Sequence, residues 1–90
     1  MSDIVHDIII VDAREELESL QRRPANVHPE ELVALARAVG RGVTSKGGKH
    51  PWKCKKAGKR PFTIPNHPGT LKPGTVRMIL SFIEDDLTDA

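Results

Sequence analysis

Apolar positions along the chain change their period twice, and the changes mark its elements. Residues 8–11, Ile-Ile-Ile-Val, form the longest aliphatic run. They read either as a short strand or as a segment docked on the core. Leu17 and Leu20 make a narrow helical stripe behind Asp12 and Glu15. Carboxylates suit a helix start, where one caps the first turn and the other meets the positive end of the dipole. The spacing predicts a helix near residues 12–23, stopped by Pro24. Leu32, Leu35, Ala36 and Val39 follow the i, i+3, i+4, i+7 template of one buried face. Pro29 fits the first position of that second helix, with Glu30 and Glu31 in its first turn. Gly40 suits its C-terminal cap.

From Arg41 the period shortens. Val43 and Ser45 fit one strand, residues 50–55 a second, and residues 62–65 a third with Phe62 and Ile64 on one face. Residues 56–59 make a hairpin connection with Gly58 at its reversal, and residues 66–72 a loop punctuated by Pro68 and Gly69. Pro73 opens the last helix. Val76, Ile79, Leu80, Ile83 and Leu87 form its stripe, with Met78 and Phe82 at the edge. Arg77, Ser81, Glu84 and Asp85 face away. The expected fold is α+β: an α-β-β-β-α core over residues 29–87, with an N-terminal extension over 1–28 that carries the extra helix. A three-stranded antiparallel sheet with helices on one face buries all these stripes.

At 90 residues the chain is one domain. A chain of this size buries about two-thirds of its unfolded surface, so a cofactor crevice between two domains is excluded. Cys54 is the single cysteine, which excludes an internal disulfide. The aliphatic run at 8–11 is far shorter than the roughly 20 residues that span a bilayer. Asp3 and Asp7 stand where a signal peptide has a basic flank, so the expectation is a protein of the reducing cytoplasm, without membrane contact.

Charge is distributed unevenly. Residues 1–40 hold four basic and eight acidic side chains, residues 41–78 ten basic and none acidic, and residues 79–90 four acidic and none basic. A basic block between acidic flanks points to a polyanion, most simply a nucleic acid. A solvated basic face without a partner has the same composition. The block has no carboxylate to hold a metal or to form an acid/base pair. One cysteine cannot build a thiolate zinc site, and His6, His28, His50 and His67 lack ligand spacing, so no metal or other cofactor is expected. Cys54 reads as a small packed strand residue.

Lys46-Gly47-Gly48-Lys49-His50-Pro51-Trp52-Lys53 is the segment with chemistry in it. Paired glycines let a backbone approach a ligand closely. An imidazole in a positive field is a minimal arrangement for RNA cleavage by the ribose 2′-hydroxyl. Histidine can take or give the proton, and a cation can stabilise the phosphorane. The competing reading comes from strand alternation, which puts His50, Trp52 and Cys54 on one face and makes His50 a core histidine. Pro51 disturbs the ladder there and weakens that parity. Trp52 has two readings, a base-stacking platform or a core or half-buried side chain.

Gly48-Lys49-His50, the basic hairpin, Phe62-Thr63-Ile64-Pro65-Asn66-His67 and Leu71-Lys72-Pro73-Gly74-Thr75-Val76 with its apolar helix together resemble the HicA family. These are mRNA interferase toxins of prokaryotic toxin–antitoxin systems. Residues 22–32, Arg-Arg-Pro-Ala-Asn-Val-His-Pro-Glu-Glu-Leu, are similar to a subgroup with an additional N-terminal helix. The resemblance implies a double-stranded-RNA-binding-domain-like fold, metal-independent mRNA cleavage and a catalytic histidine, which falls on His50. It implies a HicB-type antitoxin as partner and no DNA binding by this chain alone. Lys49 stands in place of the family's usual serine, and Pro51 in place of its second histidine. His67 lies where family members often carry a histidine; it reads as a supporting RNA contact or as a loop residue without a role. Lys46, Gly48, Lys49, Lys53, Lys59, Arg60, Lys72 and Arg77 are the further candidate RNA contacts, since cations near the backbone supply most nucleic-acid affinity. Two other functions fit the same residues: a non-catalytic RNA-binding module of this fold, and an interaction domain whose basic face meets an acidic protein.

Overall fold

Prolines and glycines divide the chain into short, well-separated elements. The structure is a computed structural model and describes residues 13–88. The segment at 8–11 and the Asp12 cap lie outside them. Helix α1 covers residues 13–22 and buries Ala13, Leu17 and Leu20, spaced four and three apart. Pro24 ends it by opening a 3-10 turn, Pro24–Asn26, which local pattern did not predict. Arg23 therefore leaves the helix, and its Nη1 donates to Asn26 O at 3.0 Å and Glu31 Oε2 at 3.1 Å. Helix α2, Pro29–Ala38, starts on its proline with Glu30 and Glu31 in the first turn. Helix α3 spans Pro73–Thr88.

The strands are β1, Gly42–Thr44, β2, Trp52–Lys55, and β3, Phe62–Ile64. β1 starts and ends one residue earlier than the Val43–Ser45 pattern suggested, and β2 and β3 are shorter than theirs. Ser45 turns its hydroxyl to the following loop, and Pro51 and Pro65 lack the N–H that a ladder uses. The sheet is antiparallel throughout, in the order β1-β2-β3. Val43, Cys54 and Phe62 are in register, as are Thr44, Lys53 and Thr63. The first row and the Trp52–Ile64 pair pack on the core; the second row is exposed.

One buried cluster joins all the elements. Leu17, Leu20 and Val27 belong to the same core as Leu32, Leu35, Cys54, Ile64, Ile79 and Ile83. Leu71 N donates to Val27 O at 2.9 Å, which stitches the approach to α2 to the approach to α3. Gln21 Nε2 reaches Glu84 Oε2 at 2.6 Å and ties α1 to α3. Met78 lies outside the α3 stripe, 54 % exposed, while Asp86 lies inside it at 3 %.

Asp86 is buried because Arg41 is there to meet it. Gly40, at φ +93°, ends α2 with the paired bonds Gly40 N to Arg37 O and Arg41 N to Ala36 O, both 3.0 Å. That closing turn needs a left-handed residue, which glycine accepts without strain. It also swings Arg41 inward. Arg41 Nε donates to Asp86 Oδ2 at 2.7 Å and Nη2 to Oδ1 at 3.0 Å. Nη1 donates to Cys54 O at 3.2 Å and Arg60 O at 2.9 Å. The guanidinium lies 4.5 Å from the Phe62 ring centroid, and Phe62 stacks on Phe82 at 5.3 Å. Arg41 therefore leaves the basic block to which sequence counting assigned it.

Breaking a buried pair leaves one uncompensated charge in the core, a loss of about 3–5 kcal/mol. Arg41→Met and Asp86→Leu should each lower urea-unfolding stability by about that amount. The double variant should recover the part that comes from the uncompensated charge, but not the part from the Cys54 and Arg60 carbonyls, which lose their Arg41 donor in it as in Arg41→Met. Additive losses would show that the two side chains do not act as a pair.

Candidate nucleic-acid interface

The connection from β1 to β2 turns on two glycines. Gly47 has φ +87° and Gly48 φ +60°, and a Cβ at either would meet nothing within 4 Å. Backbone conformation, not lack of space, thus calls for glycine. Ser45 Oγ accepts from Gly47 N at 3.1 Å and donates to His50 O at 3.4 Å. His50 N closes the turn onto Gly47 O at 3.3 Å. From the far side, Asn66 Nδ2 donates to Gly48 O at 2.8 Å and His50 O at 3.1 Å.

His50 is exposed. The core-histidine reading fails because the β2 ladder begins at Trp52, so the alternation that buries Cys54 does not extend back to residue 50. Trp52 is half-buried and packs on the core, on the helix side of the sheet.

His50 and Pro51 form one wall of an open groove of about 510 Å³. Thr44, Ser45 and Lys46 come from the end of β1, and Lys53 and Lys55 from β2. Residues two apart on a strand share a face and stand about 7 Å apart. Lys53 and Lys55 thus make a cationic ridge, whose other flank is a hollow of about 180 Å³ with Pro61, Phe62 and Thr63. No acidic side chain lines either depression.

The structure divides the sequence candidates. Lys46, Lys53 and His50 meet in the groove, with Gly48 and Lys49 in the turn beside it. Lys59 and Arg60 sit elsewhere, in a cavity of about 490 Å³ near the β2–β3 hairpin with Phe82, Asp85 and Asp86. Lys59 Nζ donates to Asp85 O at 3.3 Å. His67 is exposed with Nδ1 2.9 Å from Pro68 O. Lys72 and Arg77 are exposed, and neither they nor His67 line the groove. Lys55 and Asn66 were missed. Parity with Lys53 marks Lys55. Asn66 carries no local signal, because its partners are 16 and 18 residues away.

Among the described residues, no three His, Cys, Asp or Glu side chains gather as a metal site requires. No described helix is long and apolar enough to cross a membrane. No family model matches the chain, and no curated protein or solved structure is significantly similar to it.

Cys54 is fully buried beneath the ridge. Burial pushes its thiol up to about 11, against the opposing pull of Arg41 and Arg37, so the thiolate that would react is suppressed. A raised native value means that the folded state holds the proton more tightly. The stabilisation is therefore complete below the unfolded value of 9.0 and is lost as pH rises toward about 11. Native protein should resist thiol reagents at pH 8 and react only on unfolding. Its stability should fall between pH 9 and 11 by on the order of 2 kcal/mol more than that of Cys54→Ala. Rapid labelling of the native thiol, or identical alkaline profiles, would contradict this.

Proposed function

We propose that this protein is a metal-independent endoribonuclease of the mRNA-interferase kind, akin to the HicA toxins, with His50 as its catalytic acid or base. The observation that carries this reading is an exposed imidazole on the wall of an acid-free groove whose cations are Lys46, Lys53 and Lys55. Attack by a ribose 2′-oxygen forms the new O–P bond and expels the 5′-oxygen of the next nucleotide. The 2′-proton must leave, and the 5′-oxygen must gain one. The products are a 2′,3′-cyclic phosphate and a 5′-hydroxyl. Histidine exchanges protons near neutral pH and can serve one of the two transfers. Ammonium groups around the phosphate offset the charge of the phosphorane. DNA lacks the nucleophile and is not a substrate in this scheme.

The α-β-β-β-α order behind an added helix supports a double-stranded-RNA-binding-domain-like fold. A cytoplasmic site of action follows from the mRNA substrate. A HicB-type antitoxin with an acidic surface would fit over the open sheet face, since Lys53 and Lys55 there have no carboxylate beside them in either depression.

A second reading, RNA binding without cleavage, is favoured by Pro51. It lines the groove where a second histidine would supply the other proton transfer, leaving His50 as the single imidazole there.

The two readings part on one assay. Wild type should cleave RNA in excess EDTA, and His50→Ala should be slower by about a hundredfold to ten-thousandfold. Its melting temperature should be unchanged, because His50 is exposed. Equal rates, or a strict need for Mg²⁺, would sink the nuclease mechanism; tight RNA binding by an inert wild type would establish the second reading.

Phosphate contacts are separable by salt. Lys53→Ala and Lys55→Ala should each reduce the log–log salt slope of RNA binding by about 0.7, the increment for one single-strand phosphate. Lys56→Ala should leave the slope alone and lower stability, since Lys56 Nζ is engaged with Val39 O at 2.8 Å at the end of α2. The reverse pattern would place RNA at the hairpin end of the sheet.

A further inference from the structure

The His50 turn has nothing beneath it to hold it. Residues 45–51 are all exposed, so no apolar packing sets the backbone there. Its glycines, free of neighbours at the Cβ position, add conformational freedom. Of the bonds within the turn, Gly47 N to Ser45 Oγ is 3.1 Å, but the two that reach His50 are longer, 3.3 Å from His50 N to Gly47 O and 3.4 Å from Ser45 Oγ to His50 O. A catalytic group on such a loop needs an anchor outside the loop, because a shift of about 1 Å can reduce a rate about a hundredfold.

Asn66 has the position and the chemistry of that anchor. Its Nδ2 makes the shortest bond to the turn, 2.8 Å to Gly48 O, and a second of 3.1 Å to His50 O. Both partners are carbonyl oxygens, which accept only, so the amide must present its NH₂ to them. One donor group thus bridges the second glycine and the histidine. Asn66 itself is half-buried. It follows Ile64, fully buried and paired in register with Trp52, and Pro65, whose ring fixes φ. Rigidity passes from the core through Ile64 and Pro65 to the Asn66 amide, and from there to the backbone that carries the imidazole.

We propose that Asn66 is the positioning residue of this site: its amide fixes the Gly48–His50 backbone and so sets where the His50 imidazole stands over the groove. This rests on the nuclease reading for its catalytic consequence, and on hydrogen-bond geometry alone for its structural one. Asn66 touches no reacting atom in the scheme; it acts through His50.

Asn66→Asp is the decisive variant. It keeps the shape of the side chain, removes both donors and sets a carboxylate against two carbonyls. If Asn66 only filled space, the uncharged and near-isosteric Asn66→Leu would serve as well as asparagine, whereas Asn66→Asp adds repulsion from the Gly48 and His50 carbonyls to the loss of the donors. With RNA as substrate, the expected result is a kcat at least about tenfold lower with KM changed less than about threefold. The ¹⁵N order parameters of Gly48, Lys49 and His50 should drop from the rigid value of about 0.85 toward 0.6. Asn66→Gln, which returns the NH₂ on a longer arm, should recover part of both. Wild-type kcat in Asn66→Asp would remove the catalytic role. Unchanged order parameters would overturn the proposal whether or not the protein cleaves RNA. An inert wild type whose turn loosens on Asn66→Asp would mark the nuclease reading as the one that failed.

Discussion

Arg41 and Asp86 join the end of α2, the two later strands and α3 at one buried point. The guanidinium contacts the carboxylate of α3, the Cys54 carbonyl of β2, the Arg60 carbonyl before β3 and the ring of Phe62. Its own backbone is the last link in the closure of α2. A buried charge is tolerated only when paired and hydrogen-bonded, so these four neighbours must be in place together. The pair also answers a local conflict. Glu84, Asp85 and Asp86 crowd the end of α3, where the helix dipole disfavours anions. An internal cation beside the third of them relieves that repulsion.

The basic block consequently does two jobs. Arg41, Lys56 and Lys59 face carbonyls and carboxylates of the molecule itself: Lys56 the Val39 carbonyl at the end of α2, Lys59 the Asp85 carbonyl in α3. Cations suit the C-terminal ends of helices, where carbonyls lack partners. The hairpin is held to the body by these contacts. Lys46, Lys53 and Lys55 instead line the groove on the sheet's open side. One run of like charge in the sequence is thus sorted by strand parity and by helix ends into a structural set and an outward set.

The groove combines a stiff part and a loop. Lys53 and Lys55 stand on the central strand, held on both sides by β1 and β3. His50 stands on the glycine turn, where chain reversal exposes it. Functional groups on loops keep useful geometry when a rigid scaffold supports them. Here Ser45, from the end of β1, and Asn66, from the end of β3, grip the same His50 carbonyl from two edges of the sheet.

Local periodicity carried the α-β-β-β-α order, the extra helix before it and the faces of α2, α3 and the third strand. Those depend on side chains within one or two turns of each other, as with Leu32, Leu35, Ala36 and Val39. The Gly-Lys-His segment stood out for the same reason, since glycines and an isolated imidazole are local features. The second and third strands are shorter than their patterns, because the loss of a ladder donor at Pro51 or Pro65 matters only once a partner strand is in place. The burial of Arg41 and Asp86, 45 positions apart, the exposure of His50 and the reach of Asn66 across 16 and 18 residues were decided by the tertiary structure. Charge and polarity in a sequence say what a side chain needs; which group meets that need depends on distances between elements, and these exist only after the chain has packed.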